Sequence, residues 1–211
     1  MDNFFTEAID SVAYALSEIT TNTPSVQIQV SEGDPEATKS ISIQFDSSGS
    51  MEGEKIREAK RGVTAFLKNC PEYVEVGLTT FGSKVTVPAG LTYRHNKLAE
   101  ITNNLTARGK TPFLRGLKAS YENHVLKSKT NNSIVLFTDG KPTETKEAEI
   151  LRYGDRIKKR TEIITVGIGK KVNERFLRKL ASSREDYYFA EAPKDIFPTI
   201  TTAIGSLVTT K

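Results

Sequence analysis

The 211 residues are 37% apolar and 27% charged, with 14 Gly and 8 Pro, which excludes a disordered, collagenous or disulfide-stapled chain. Thirty Lys and Arg against 26 Asp and Glu leave a formal charge of +4, and because the bases are dispersed among acids this excess does not describe a nucleic-acid surface. A chain of this length buries roughly 70% of the surface its unfolded form exposes, so a metal would be functional rather than a condition of folding.

Phe5, Ile9, Val12, Leu16 and Ile19 recur at helical spacing between polar residues, which predicts an amphipathic N-terminal helix. Val26, Ile28 and Val30 alternate like a short strand, a polar connector follows, and a domain boundary is expected near residue 38. The 1–38 segment thus reads as an arm, with its apolar stripe packed on the domain or serving as an oligomerisation surface. Residues 39–211 read as one domain.

Within that domain strand, loop and helix alternate. Ile41, Ile43 and Phe45 form a strand leading into a Ser and Gly loop, and a helix is expected over 53–68, ended by Cys70 and Pro71. Two strands, 74–81 and 84–87, are separated only by Gly82 and Ser83, which demands an antiparallel hairpin. Helices are expected around Leu98, Ile101 and Leu105, and from Pro112 at a first helical position through Val125. A buried strand at 133–138, a helix at 144–160, a strand at 162–166, a helix at 173–182, a strand at 187–190 and a helix at 194–208 complete the domain. The alternation predicts a doubly wound α/β sheet of six strands covered on both faces, with the short third strand antiparallel at one edge.

The chemistry concentrates in Phe45, Asp46, Ser47, Ser48, Gly49, Ser50 and Met51, where a buried strand should end and a helix begin. One carboxylate and hydroxyls at 46, 48 and 50 can converge if the backbone turns, and Gly49 supplies the freedom to turn. Oxygen ligands select hard cations, magnesium or manganese before calcium. The simpler alternative is that Asp46 and Ser50 cap the following helix. Two more polar loops bear on the choice: Thr138, Asp139 and Gly140 end the second buried strand, and Gly109, Lys110, Thr111 and Pro112 open the helix before it. In a doubly wound sheet, ligands bind beyond the carboxyl ends of strands where the strand order reverses.

Asp46, Ser48 and Ser50, Thr111 in Gly-Lys-Thr-Pro, and Asp139 in Phe-Thr-Asp-Gly together resemble the metal-ion-dependent adhesion site of von Willebrand factor A domains. The resemblance spans residues 40 to 205, includes the Val-Gly-Ile-Gly strand end at 166–169 and the helix from Leu177, and matches at all five site positions. It implies that Ser48 and Ser50 coordinate magnesium directly, with manganese or calcium as substitutes, and Thr111 directly or through water. It further implies that Asp46 and Asp139 hold metal-bound waters, and that an Asp or Glu of a partner protein completes the shell. Gly49, Lys110 and Gly140 flank these ligands and would meet that partner. The fold expected with this resemblance is that six-stranded sheet in the order 3-2-1-4-5-6, and the implied function is a non-enzymatic protein-binding module. Intracellular microbial members of the family work beside AAA+ ATPases, and extracellular members are adhesion receptors.

Other signals carry less. Gly109, Lys110 and Thr111 resemble the end of a phosphate-binding loop, yet Asn104 stands where its first glycine belongs. A metal-dependent hydrolase or phosphatase-like enzyme using Asp46 is the enzymatic alternative, although a second acid is expected two residues on, at Ser48. His95 and His124 read as surface residues. A start of Met1, Asp2 and Asn3 without a basic region is a poor leader, and no run reaches the ~18 apolar residues of a membrane span. With the lone Cys70, these features point to a cytoplasmic setting and leave an extracellular one open.

Overall fold

The computed structural model describes residues 39–209; the expected N-terminal helix, strand and connector lie outside the described residues. In chain order the elements are β1 (Lys39–Asp46), a 3-10 turn (Gly49–Met51), α1 (Glu54–Lys68), β2 (Val74–Phe81), β3 (Val85–Thr92), α2 (His95–Asn103) and α3 (Phe113–Asn123). A second 3-10 turn (Val125–Lys127), β4 (Asn132–Thr138), α4 (Glu147–Ile157), β5 (Thr161–Ile168), α5 (Glu174–Leu180), β6 (Tyr187–Ala190) and α6 (Pro193–Thr209) follow. The sheet runs β3-β2-β1-β4-β5-β6, with β3 antiparallel to β2 and the other pairs parallel, the order expected above.

Two apolar layers hold the sheet. Ile41, Ile43 and Phe45 of β1 join Val63 of α1, Leu98 of α2 and Ile200 of α6 on one face. On the other, Ile134 and Leu136 of β4 meet Phe113 and Leu117 of α3, Ile150 of α4 and Leu177 of α5. Side chains alternate across a strand, so the second face of β1 carries Ser40, Ser42, Gln44 and Asp46, all fully enclosed. Buried polar atoms must be paired to be tolerated. Ser42 Oγ lies 2.6 Å from His124 Nδ1, and Ser120 Oγ donates to Gln44 Oε1 at 3.3 Å.

Three expectations are corrected. Strand β3 runs to Thr92 rather than ending at 87: register shifts against β2 insert extra residues and carry the strand past Pro88, which an edge strand can accommodate. Pro112 is the N-cap of α3 rather than its first helical residue, and α3 ends at Asn123 instead of running through Val125. Neither histidine is on the surface. His95 Nε2 donates to Val74 O at 2.8 Å, and His124 is fully enclosed. Because Ala89 O can only accept, His124 Nε2 carries the proton that it donates there at 3.0 Å, and Nδ1 accepts from Ser42. The ring packs against β2 at Gly77, where a Cβ would come within 2.6 Å of it.

Candidate metal centre

Asp46 ends β1, flanked by β2 and β4, and Asp139 directly follows β4, so the two carboxylates arise where the parallel strands stop. The loop after β1 is fastened to its neighbours through the backbone: Ser47 N–H donates to Phe81 O at 2.8 Å, Arg108 N–H to Ser47 O at 2.8 Å and Gly49 N–H to Gly109 O at 3.0 Å. This brings the loop carrying Thr111 beside the loop carrying the serines. Gly109 is required for that approach, since its φ is +85° and a Cβ there would sit 2.4 Å from Ser83. Met51, fully buried, anchors the far end of the serine turn.

The capping alternative for Ser50 is set aside by geometry. The N-cap of α1 is Gly53, with no side-chain cap, and Ser48 precedes its short turn without a capping side-chain bond. The hydroxyls instead face one another and the carboxylates. Ser48 Oγ lies 3.1 Å from Ser50 Oγ, and Ser50 Oγ donates to Asp139 Oδ1 at 2.6 Å. Asp46 Oδ1 accepts from Ser48 N–H at 2.8 Å, a local turn that fixes the carboxylate. Thr111 borders the same spot: a Cβ on Gly140 would lie 3.3 Å from Thr111 Oγ1 and 3.7 Å from Ser50 Oγ. Its backbone is held by Thr143, whose Oγ1 accepts from Thr111 N–H at 3.0 Å. All five expected ligands therefore share one locus. Gly49 and Lys110 are exposed beside it and Gly140 is half-buried between Thr111 and Ser50.

Two further residues build the site without having been assigned a role in it: Thr138, named only as a strand end, and Lys55. Thr138 Oγ1 donates to Asp46 Oδ2 at 2.6 Å while accepting from Gly140 N–H at 3.2 Å, so it orients both the carboxylate and the glycine turn. Its place in Phe-Thr-Asp-Gly, next to an expected ligand, was the available signal. Lys55, in the first turn of α1, pairs with Asp139 Oδ2 and donates to Ser50 O at 3.1 Å. Nothing in the local pattern around 55 announces this contact.

The electrostatics favour a cation. Burial pushes the Asp46 carboxyl up to about 6, against the pull of its hydrogen bonds from Thr138 and Ser48, and the neighbouring Asp139 charge adds to the rise. An enclosed carboxylate whose influential charged neighbour is another anion is stabilised by a positive ion placed between them. Among the described residues no three His, Cys, Asp or Glu side chains group together, so the donor set here is two carboxylates and three hydroxyls. Such a set, all hard oxygen and low in charge, fits magnesium or manganese and does not suit zinc-type sulfur and nitrogen coordination.

The hydrolase alternative finds no support. Position 48 is a serine bonded to Ser50, and the Ser42–His124 pair, although spaced like a nucleophile and its base, is wholly enclosed in the sheet.

The sequence profile of the von Willebrand factor type A domain matches residues 41–202. Inter-alpha-trypsin inhibitor heavy chain 4 of Mus musculus is 27% identical over 162 residues, covering 70% of this chain and 17% of its own. Heavy chain H3 of the Rattus norvegicus inhibitor is 26% identical over 165 residues, covering 71% of this chain and 19% of its own. The matched region thus spans under a fifth of the length of these curated relatives. Among solved structures, the vWF domain of the type V pili tip protein Mfa5 from Porphyromonas gingivalis superposes with a TM-score of 0.73 at 12% identity, covering 82% of this chain and 95% of that one. Proximal thread matrix protein 1 from the mussel byssus, in a form described as having a zinc-occupied MIDAS motif, gives 0.69 at 16% identity, covering 82% and 46%. At these identities the two likenesses speak for the fold alone.

Proposed function

Since the chain belongs to the von Willebrand factor type A domain family, we propose that it is a protein-binding module that captures an acidic side chain of a partner through a divalent cation held by Asp46, Ser48, Ser50, Thr111 and Asp139. The observation that carries this reading is the meeting of two carboxylates and three hydroxyls from three separate loops around Gly140 and Ser50. Bound magnesium would supply a Lewis-acidic centre with an incomplete shell, open to an external carboxylate oxygen. The protein's own residues do the rest. Neutral hydroxyls hold the ion without quenching its charge, Thr138 fixes Asp46, and the backbone ties to Gly109 set the spacing of the Thr111 loop against the serine loop. Ser50, Gly49 and Lys110 are exposed, so the partner approaches from the rim that they form.

Among the described residues no helix is long and apolar enough to cross a membrane. Magnesium, manganese and calcium are titrated calorimetrically into chelator-stripped protein, beside the double variant Ser48→Ala, Ser50→Ala. Stoichiometric binding that the variant loses is expected, followed by recovery of an acidic partner in magnesium and not in EDTA. No heat and no thermal shift with any of the three ions would overturn the reading.

A further inference from the structure

Metal capture as described makes no use of Lys55, although its ammonium is the closest cation to the site that the structure shows. The side chain leaves the first turn of α1, runs along the Gly169 turn after β5, where a Cβ would meet its Cε at 3.6 Å and Nζ at 3.8 Å, and ends on Asp139 Oδ2 and Ser50 O. It is one-third exposed, whereas the Asp139 side chain is 1% exposed. An ordinary surface pair joins two solvated groups and contributes little. Here one partner is enclosed, and its other oxygen, Oδ1, is already taken by Ser50 Oγ at 2.6 Å.

Both oxygens of Asp139 are therefore committed, one to a hydroxyl expected to ligate the ion and one to a positive charge. An ammonium on Oδ2 does for the metal-free cluster what a divalent ion would do, since it neutralises one of two neighbouring carboxylates. Two cations at this enclosed group, the ammonium directly and the ion directly or through its water, repel each other at short range. A lysine suits the exchange: its charge rides on a flexible four-carbon stem and, once released, it can swing out to solvent at the rim.

We propose that Lys55 is a tethered counter-cation that holds the metal-free site and that a divalent ion displaces from Asp139, leaving the ammonium at the rim to meet the partner's carboxylate. This rests on the metal-binding reading above. Binding of the ion is then an exchange of one cation for another, and Lys55 sets both the affinity of the site and the stability of the metal-free protein.

The test uses the full chain with Lys55→Met, which keeps the stem and removes the charge, and Lys55→Arg, which keeps the charge. Manganese affinity is measured in all three proteins, and the amine-labelling rate of Lys55 is followed by peptide mass spectrometry with and without magnesium, with exposed Lys68 as internal reference. Lys55→Met should bind manganese about tenfold more tightly than the parent, a modest share of the short-range charge effect, and melt at a lower temperature in EDTA. Lys55→Arg should stay close to the parent in both, and labelling of Lys55 should rise severalfold on adding magnesium while Lys68 is unchanged. Unaltered or weaker affinity in Lys55→Met, or a Lys55 labelling rate indifferent to magnesium, overturns the exchange while leaving the metal site standing. Failure of both the parent and Lys55→Met to bind manganese would refute the metal-binding reading, and the exchange with it.

Discussion

Acidification acts on two enclosed groups in opposite directions. His124 is held down to about 4 by burial, against an ordinary value of 6.5. The unfolded chain therefore takes up the proton first, and stability is lost as the pH falls through the window between those values. The full gap corresponds to about 3 kcal/mol, of which about 2 kcal/mol is lost by about pH 5. Asp46 is pushed up to about 6 from 3.8, so here the folded protein takes up the proton first. Its contribution is complete at low pH and is lost as the pH rises through about 6, again about 3 kcal/mol in full, with about 1 kcal/mol regained between about pH 7.5 and pH 5. Over that interval the gain at Asp46 only partly offsets the loss at His124 in the metal-free parent. Asp46→Asn keeps the side-chain shape and abolishes its titration, and His124→Asn removes the imidazole. Urea unfolding in chelator at about pH 7.5 and pH 5 should show Asp46→Asn losing about 1 kcal/mol more than the parent over that interval, and His124→Asn losing about 2 kcal/mol less. Groups common to all three proteins cancel in these differences. Parallel pH profiles for the parent and both variants would refute the assignment of opposed, enclosed charges.

Two substitutions probe the backbone that sets the site and the sheet. Gly109→Ala forces a residue with a side chain into φ +85° against Ser83; it should lower stability by more than about 1 kcal/mol and weaken metal affinity, because Thr111 is carried by the same loop, both read from melting curves with and without magnesium. Gly77→Ala places a methyl group 2.6 Å from the His124 ring; it should cost about 1–3 kcal/mol in urea unfolding while leaving metal affinity unchanged, since the strain falls in the sheet interior.

The end of β4 was legible because a buried strand in a parallel sheet is a nearly continuous apolar run, which stops at Thr138-Asp139, and that of β1 because the alternation of Ile41, Ile43 and Phe45 gives way to the polar loop from Asp46. The pairing of β2 with β3 was readable because a two-residue link such as Gly82-Ser83 admits only an antiparallel neighbour, although local pattern gave the strand wrong bounds. That pattern failed for β3, where the pairing absorbs Pro88 through register shifts that leave no local signature. It also failed for the histidines. His124 looks like a helix-end residue on a charged helix, and only the stacking of β1, β2 and β3 beneath it creates the pocket formed by Ser42, Gly77 and Ala89.

Local composition and periodicity were enough to say which oxygens are available, in which loops and at the ends of which strands, because they report where strands stop and turns begin. Whether those oxygens meet was decided by the tertiary structure, through long-range backbone bonds such as Gly49 to Gly109 that no spacing along the chain encodes. Tertiary structure alone also decided the counter-charge. A lysine of α1 reaches an aspartate 84 residues away because the helix packs across the sheet, and a long flexible side chain carries no periodic signal of where its charge will rest.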